Sequence, residues 1–578
     1  MAWLLTGLRL PWLIGAALLS LHAATGDLYD LRLLTVTGSS ALMVLGYQLV
    51  FGHAGALSLA QGAFFGLGAY ATGILGASLG LPFPATFAAA MALPALIAAL
   101  VALPVLRLES HYFALATLGL AQLALILAVN WQDLTGGANG LAGVPGILPG
   151  LAGRDGALVL LGAVWAAVAA AALLCHAMTG GLRGLTYRLM REAPEAAAAS
   201  GIDAGVLRFR AFVIGAALAG AGGAFQAHTL RVVSPESIGF PVMVSCLMMT
   251  VIGGRTRIFG AILGALLLVH LPEWARVLQG HYMLAFGALT LTMIVFAPDG
   301  LADTAERLRG RLFPEAPVPP PSPLLPPQRP RTAGGTAILE ARGLAKSYGG
   351  VRAVDGIDIA LAPGKIVGLI GANGSGKSTL ANLLTGQARP DRGTVRVVGV
   401  EMTGRPASRF AAAGIARGFQ TPQLSSGLSA LDNVAAGARP PLQGAEAIRA
   451  MAAGALALVG EPARGEAAGS LSPATRRRVE IARALMAAPA ALVLDEPAAG
   501  MAPDEQQALA ELLRRLAESG TALLIIEHRL DFLLPLADRL ICMDGGRIVA
   551  KGLPEAVLRD AAALAAYLGA VPSAGPPS

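Results

Sequence analysis

The sequence predicts a multidomain chain. A polytopic α-helical membrane domain of eight to ten spans occupies residues 1–300, a proline-rich linker 301–336, and an α/β phosphate-binding-loop domain 337–578. Three observations predict it. The chain is 55% hydrophobic and only 14% charged, whereas soluble domains carry about 25% charged residues, and its mean hydropathy is +0.62. The excess is uneven: residues 1–300 contain no lysine, and the four lysines (Lys346, Lys365, Lys377 and Lys551) all follow the linker. Third, Gly371-Ala-Asn-Gly-Ser-Gly-Lys-Ser378 fits the pattern G-x-x-x-x-G-K-[ST].

The membrane domain follows from apolar run length, because about 20 apolar residues cross a bilayer as a helix. Such runs lie at 3–22, 33–50, 56–75, 83–106, 112–130, 157–177, 210–229, 240–253, 258–275 and 280–297. The first, broken by Arg9 and Pro11, lacks a small-residue cleavage site and is followed at once by further runs, so it reads as a span rather than a leader. The run at 240–253 is short enough to be re-entrant. Gly62 with Gly66, and Gly215 with Ala219, are small residues four apart that suit close helix crossings. Glu109, His111, His228, His270 and Glu273 fall near predicted helix ends and read as interfacial caps, so this half shows no ion-coupling pathway of its own.

Arginine placement sets orientation. The segment 178–209 holds Arg183, Arg188, Arg191 and Arg208; Arg255 and Arg257 share a short loop; Arg307, Arg309 and Arg311 follow the last run. All three segments are expected to face the cytoplasm, and 131–156 the outside. The formal charge of +7 is spread along the chain, which fits cytoplasmic loops and gives no basic patch for nucleic acid. Cys175, Cys246 and Cys542 are too far apart for a metal motif or a disulfide framework, and read as buried small hydrophobes. Within 178–209, Glu195-Ala-Ala-x-x-x-Gly201 predicts a short helix, placed to dock on an attached ATPase and transmit motion. The linker, with its proline-dense run from Leu312 to Arg331, predicts an extended tether.

From 338 the pattern turns to strands alternating with helices. Strands are expected at 338–341, 357–361, 366–370 and 394–398, the early ones antiparallel, and as buried parallel strands at 491–494 and 522–526. Strand 366–370, the glycine loop and a helix from Ser378 form the context a phosphate loop needs. Backbone N–H groups of Gly371, Asn373, Gly374, Ser375 and Gly376 would converge on phosphate oxygens, with Thr379 in the first helical turn. Lys377 would reach the β/γ-phosphates and Ser378 ligate Mg²⁺. The strand ending in Asp495-Glu496 supplies a magnesium-shell carboxylate (Asp495) and a base or positioner for the attacking water (Glu496). His528, ending the next strand, would contact the γ-phosphate. Gln420 would join the magnesium and water site, and Tyr348 would stack on adenine.

At these residues the chain resembles the nucleotide-binding domain of ATP-binding cassette (ABC) transporters. Tyr348 matches the aromatic loop, 371–379 the Walker A motif, Gln420 the Q-loop, Asp495 and Glu496 the Walker B motif, and His528 the switch histidine. Glu496-Pro-Ala-Ala-Gly-Met-Ala-Pro503 resembles the branched-chain amino-acid importers. So do Phe51-Gly-His-Ala-Gly-Ala-Leu-Ser-Leu, Thr135-Gly-Gly-Ala-Asn-Gly, Ser234-Pro-Glu-Ser and Val251-Ile-Gly-Gly in the membrane half. The resemblance implies an ABC-type fold, ATP and Mg²⁺ as cofactors, and a permease fused to its ATPase. It also implies a bacterial inner-membrane location with the ATPase cytoplasmic. The implied partners are lipid, a periplasmic solute-binding protein, and a second permease and second ATP-binding subunit.

One departure stands out. Where the family has L-S-G-G-Q or L-S-Y-G-Q, this chain has Leu471-Ser472-Pro473-Ala474-Thr475. Ser472 is kept as the residue facing a partner's ATP, and the altered Gly and Gln positions imply a non-identical ATPase partner. Branched-chain amino acids are the default substrate, with other small polar solutes open. The alternatives are an exporter half-transporter and an ATP-dependent membrane regulator that transports nothing.

Overall fold

The computed structural model describes residues 25–106, 110–148, 150–151, 153–274, 287–288, 291–292, 295–297, 300–305, 337–438, 444–462 and 465–568. The expected span 3–22, most of 280–297, Glu109, Arg307, Arg309, Arg311 and nearly all of the linker lie outside these residues. The chain divides into two compact units: Met1–Gly180 with Gly205–Ala316, and Gly181–Ala204 with Pro317–Ser578.

The first unit is helical: α1 Leu28–Tyr47, α2 Gln61–Gly73, α3 Phe83–Val105, α4 Ser110–Asn130 and α5 Gly153–Thr179. After the excursion into the second unit come α8 Ala204–Leu230, α9 Phe240–Gly253 and α10 Ile258–Trp274. Among the described residues, five helices are long and apolar enough to cross a membrane: Leu28–His53, 83–105, 111–130, 153–179 and 204–230; α9 and α10 are shorter apolar helices. The span expected at 33–50 starts earlier because Asp27 caps α1, accepting from the N–H groups of Tyr29 and Asp30. The one expected at 56–75 starts late, after an irregular stretch in which Gly55 has φ +70°. At 1.5 Å per residue α9, 14 residues long, falls well short of the ~30 Å hydrocarbon core.

The small residues lie at real crossings. A Cβ on Gly46 of α1 would stand 2.5 Å from the Gly215 carbonyl oxygen, and one on Gly215 of α8 2.7 Å from that of Gly46. These backbones touch directly, as packing inside lipid favours. On α2, a Cβ on Gly66 would stand 2.9 Å from the Ile238 nitrogen, and one on Gly62 3.1 Å from that of Met243. Leu96, Leu100 and Leu103 of α3 are more than half exposed and form an apolar face suited to lipid. His228 and Glu273 sit in the last turns of α8 and α10, bonded to the Pro145 carbonyl and the Tyr29 hydroxyl. The three cysteines are free and buried.

Two short strands of the first unit, β1 Leu141–Ala142 and β2 Val232–Val233, pair antiparallel. Among the described residues the second unit holds two sheets. Strands β3 Leu339–Tyr348, β4 Val351–Leu361, β6 Arg392–Val397 and β7 Val400–Glu401 form an antiparallel sheet in the order β4-β3-β6-β7. Strands β5 Ile366–Ile370, β8 Ile415–Gly418, β9 Ala491–Asp495, β10 Ala522–Ile526, β11 Arg539–Asp544 and β12 Arg547–Gly552 form the other, in the order β12-β11-β5-β10-β9-β8. The four parallel pairings run from β11 through β8, and β12 is antiparallel. Strand β5, grouped by sequence with the early antiparallel strands, belongs to the parallel sheet. Its five residues are all buried, whereas burial alternates along the end of β4. A strand covered on both faces is what a parallel sheet provides.

The excursion carries two helices, α6 Leu182–Glu192 and α7 Pro194–Ala199, where a single short helix was expected. Pro194 separates them by starting a new helix at its first position. Both pack within the second unit. Leu182 and Leu185 lie against its core, the Gln387 side chain donates to the Glu195 carbonyl at 3.2 Å, and the Ser425 hydroxyl donates to the Glu192 carboxylate at 2.6 Å. Ser425 is fully buried, with its backbone N–H and C=O both held by Asn433. Burial pushes the Glu192 carboxyl up, but the Ser425 hydroxyl and Arg191 outweigh it and hold the group below the usual carboxylate range. Ser425→Ala removes a charge-assisted bond, so amide hydrogen exchange across 189–199 and 425–433 should quicken roughly tenfold. Exchange measured by mass spectrometry checks this, and unchanged rates refute it.

Candidate nucleotide site

The site is built on the C-terminal ends of the parallel strands, where α/β folds bind ligands. Strand β5 ends at Ile370, and the loop 371–376 turns into α11 Lys377–Leu384. Gly371 has φ +149° and Gly376 φ +100°. A Cβ on Gly371 would stand 2.2 Å from the Met543 carbonyl oxygen, and one on Gly376 2.0 Å from that of Ala353. Only glycine permits this backbone path. Asn373 and Gly374 are exposed at the tip, Ser375 is buried beneath it, and Thr379 is half-buried in the first turn of α11.

The Lys377 ammonium folds over the loop and donates to the carbonyls of Gly371 and Ala372 at 2.8 and 2.7 Å, and to the Ser375 hydroxyl at 3.3 Å. Burial draws its pKa down, while Asp495 and Glu496 push it back. Asp495 ends β9, 4% exposed. Burial raises its carboxyl; Arg417 and a hydrogen bond with Ser378 oppose the rise, and Glu496 adds to it. Glu496 follows in a left-handed backbone, φ +48°, rare for a side chain this large and typical of functional sites. Its N–H donates to the Ile526 carbonyl at 2.9 Å, which ties it to β10. His528 lies just beyond β10, its Nδ1 3.8 Å from the Glu496 carboxylate.

The structure thus brings Lys377, Ser378, Asp495, Glu496 and His528 to one place. Gln420 is exposed just beyond β8, its carbonyl accepting from Arg477. Tyr348, 52% exposed at the end of β3, has the Lys346 ammonium 5.5 Å from its ring centroid. Helices α12 Ala407–Ala412, α13 Ala430–Ala435 and α14 Ala445–Leu458 follow α11, and Ser472 caps α15 Pro473–Leu485, with its hydroxyl accepting from the Thr475 N–H at 3.1 Å. The described hydrogen bonds of that hydroxyl go to Thr475, none to the glycine loop.

Two groups were not singled out from the sequence. Arg417 lies inside the wholly buried strand β8, donates to Thr385 at 3.0 Å, and acts on Asp495. A cation amid an apolar strand was the available signal. Glu527, 1% exposed, accepts the Ala498 N–H at 2.9 Å and so holds the loop after Glu496. Burial raises its carboxyl, and that N–H draws it back.

Ser378, Asp495 and the Gln420 amide offer hard oxygen donors, which suit Mg²⁺. Ser378 and Asp495 already meet.

Comparison with known proteins places both units. Residues 30–298 match the family described as branched-chain amino acid transport system / permease component, and residues 354–499 match ABC transporter. The high-affinity branched-chain amino acid transport ATP-binding protein BraF of Pseudomonas aeruginosa is 32% identical over 249 residues, 40% of this chain and 98% of its own length. LivG of Escherichia coli, of the same description, is 33% identical over 251 residues, again 40% of this chain and 98% of its own. The daunorubicin/doxorubicin resistance ATP-binding protein DrrA of Streptomyces peucetius is 35% identical over 223 residues, 38% of this chain and 66% of its own. Likeness in the ATPase half alone therefore does not select a substrate. The membrane half matches the permease component, and the chain belongs to the ABC transporters of branched-chain amino-acid type, a membrane protein joining a permease domain to an ATP-binding ATPase domain.

Proposed function

We propose that this chain is the fused permease and ATPase subunit of an importer, driven by ATP and fed by a solute-binding protein. Its substrates are branched-chain amino acids or related small polar solutes. It works in the bacterial inner membrane with the ATPase unit in the cytoplasm, beside a second permease and a second, non-identical ATP-binding subunit. The observation that carries the reading is the α6–α7 excursion. It leaves the membrane helices at Thr179, packs within the ATPase unit, and returns at Ala204. A change of shape in the ATPase unit then passes along the chain into α5 and α8.

In this reading the loop 371–376 and the N-terminus of α11 receive the phosphates, Lys377 pairs with the β/γ-phosphates, and Tyr348 stacks on adenine. Ser378, Asp495 and Gln420 hold Mg²⁺, which when bound neutralises charge building on the γ-phosphate. Glu496 orients the attacking water and takes its proton, and His528 contacts the γ-phosphate. Ser472 faces the ATP of the partner subunit. Its hydroxyl is engaged in capping α15, Pro473 has no N–H to offer a phosphate, and Ala474 adds a methyl where the family has glycine. The composite site on that face should be the slow one.

The test is uptake into proteoliposomes holding the assembled complex, with ATP inside and solute-binding protein outside. Labelled leucine, isoleucine or valine should accumulate only with ATP and binding protein together. Solute leaving the ATP-containing side would establish an exporter. ATPase activity indifferent to the loaded binding protein, with no solute moved, would establish a regulator.

A further inference from the structure

A buried charge cluster beneath Gln420 has no part in the chemistry above. Arg477, Glu480 and Arg483 are spaced three apart on α15 and so share one face, and all are 4% exposed or less. The Glu480 carboxylate accepts the N–H of Phe419 at 3.2 Å and of Gln423 at 2.9 Å. Arg477 donates to the carbonyls of Phe419 and Gln420, and Arg483 to that of Gln423 at 2.5 Å. The two guanidinium groups also flank the carboxylate, at 3.3 and 3.6 Å. Both ends of 419–423 are therefore pinned to one helix, while the Gln420 side chain stays exposed. Three charges in a closed interior are costly unless mutually paired and fully hydrogen-bonded. Here the described bonds beyond the ion pairs go to the backbone of this one loop, while the buried Arg477 Nε has no hydrogen-bond partner among the described residues.

We propose that Arg477, Glu480 and Arg483 form a positioning clamp that fixes the Gln420 loop to α15, so that Gln420 and Ser472, which caps the same helix, move as one body. The inference rests on the reading of Gln420 as a magnesium and water ligand. The nucleotide met by Ser472 then biases where Gln420 stands over this chain's own nucleotide. Ser425, two residues past the pinned Gln423, bonds Glu192, so α6 is joined to the same body.

The full-length chain in lipid nanodiscs tests this with Glu480→Gln and, should that variant not fold, Arg477→Lys. Amide hydrogen exchange across 417–424 should quicken about tenfold or more, because a Gln side chain keeps one acceptor oxygen for the two N–H groups of Phe419 and Gln423 that the carboxylate served with two, and Arg477→Lys removes the carboxylate's orienting fork. The Mg²⁺ concentration that half-saturates ATP binding should rise about tenfold, while ATP affinity in EDTA stays unchanged, a split that general destabilisation does not produce. Gln420→Ala serves as the control. If it leaves the Mg²⁺ dependence unchanged, the ligand reading of Gln420 fails, and the exchange rates still decide the clamp. Wild-type exchange across 417–424 in a folded variant overturns the proposal.

Discussion

Lys377→Ala should abolish uphill transport. The ammonium is the one lysine of the phosphate loop, half-buried, and held over it by bonds to Gly371, Ala372 and Ser375. Those bonds hold the positive charge over the loop where, in the proposed reading, the β/γ-phosphates arrive; they engage all three N–H donors, so at least one must yield to phosphate. A charge-assisted bond to phosphate contributes about 1.5–3 kcal/mol, so ATP affinity should fall roughly 10- to 100-fold. Turnover should fall further, about 10²- to 10³-fold, because charge on the transferring group peaks in the transition state. The substitution adds no buried charge and leaves the glycines untouched, so the unit should stay folded. Lys377→Arg should recover little, since a planar fork does not replace a compact ammonium inside a tight loop. Fluorescent-nucleotide binding, phosphate release and solute uptake measure the three effects. Uphill accumulation at the wild-type rate in Lys377→Ala would sink the ATP-driven reading altogether.

What could be read in advance divides along physical lines. Residues whose chemistry needs a fixed spacing were legible: Gly371 to Ser378 must follow a strand and open a helix, and Asp495-Glu496 must end one. Apolar runs were legible because lipid imposes length. Boundaries were not, because the cap at Asp27 and the irregular stretch around Gly55 outweigh hydropathy locally. The place of β5 was obscured because sheet partnership is non-local, and only its unbroken burial hinted at the parallel sheet. Least visible were interactions between distant parts of the chain. Glu192 and Ser425 are 233 residues apart, and Glu480 meets Phe419 and Gln423 across about 60. No local pattern marks such pairs, although Arg417, a cation within the wholly buried strand β8, was readable as a group needing a partner.

Glu496→Gln is expected to separate binding from hydrolysis and to expose asymmetry between the two nucleotide sites of the assembled transporter. The substitution is nearly isosteric. The backbone at φ +48° is held by the bond from the Glu496 N–H to the Ile526 carbonyl, which does not depend on the side chain. What is lost is a carboxylate able to take a proton from water, worth about 10²- to 10⁴-fold. ATP should therefore still bind, and bind longer. If this chain's phosphate loop meets an intact signature on the partner, while the partner's loop meets Leu471–Thr475, nearly all turnover passes through Glu496. The variant complex should then retain on the order of one per cent of its ATPase activity, and the partner's equivalent substitution should change it little. Two equal sites would instead lose comparable activity from either substitution. An unaffected Glu496→Gln complex, with activity abolished by the partner's change, would place the working site on the other side. Single-turnover measurements on the purified complex distinguish these outcomes. Replacing Ala474 and Thr475 by Gly and Gln should raise, not lower, the activity left in the Glu496→Gln background, because it removes the Ala474 methyl from that face.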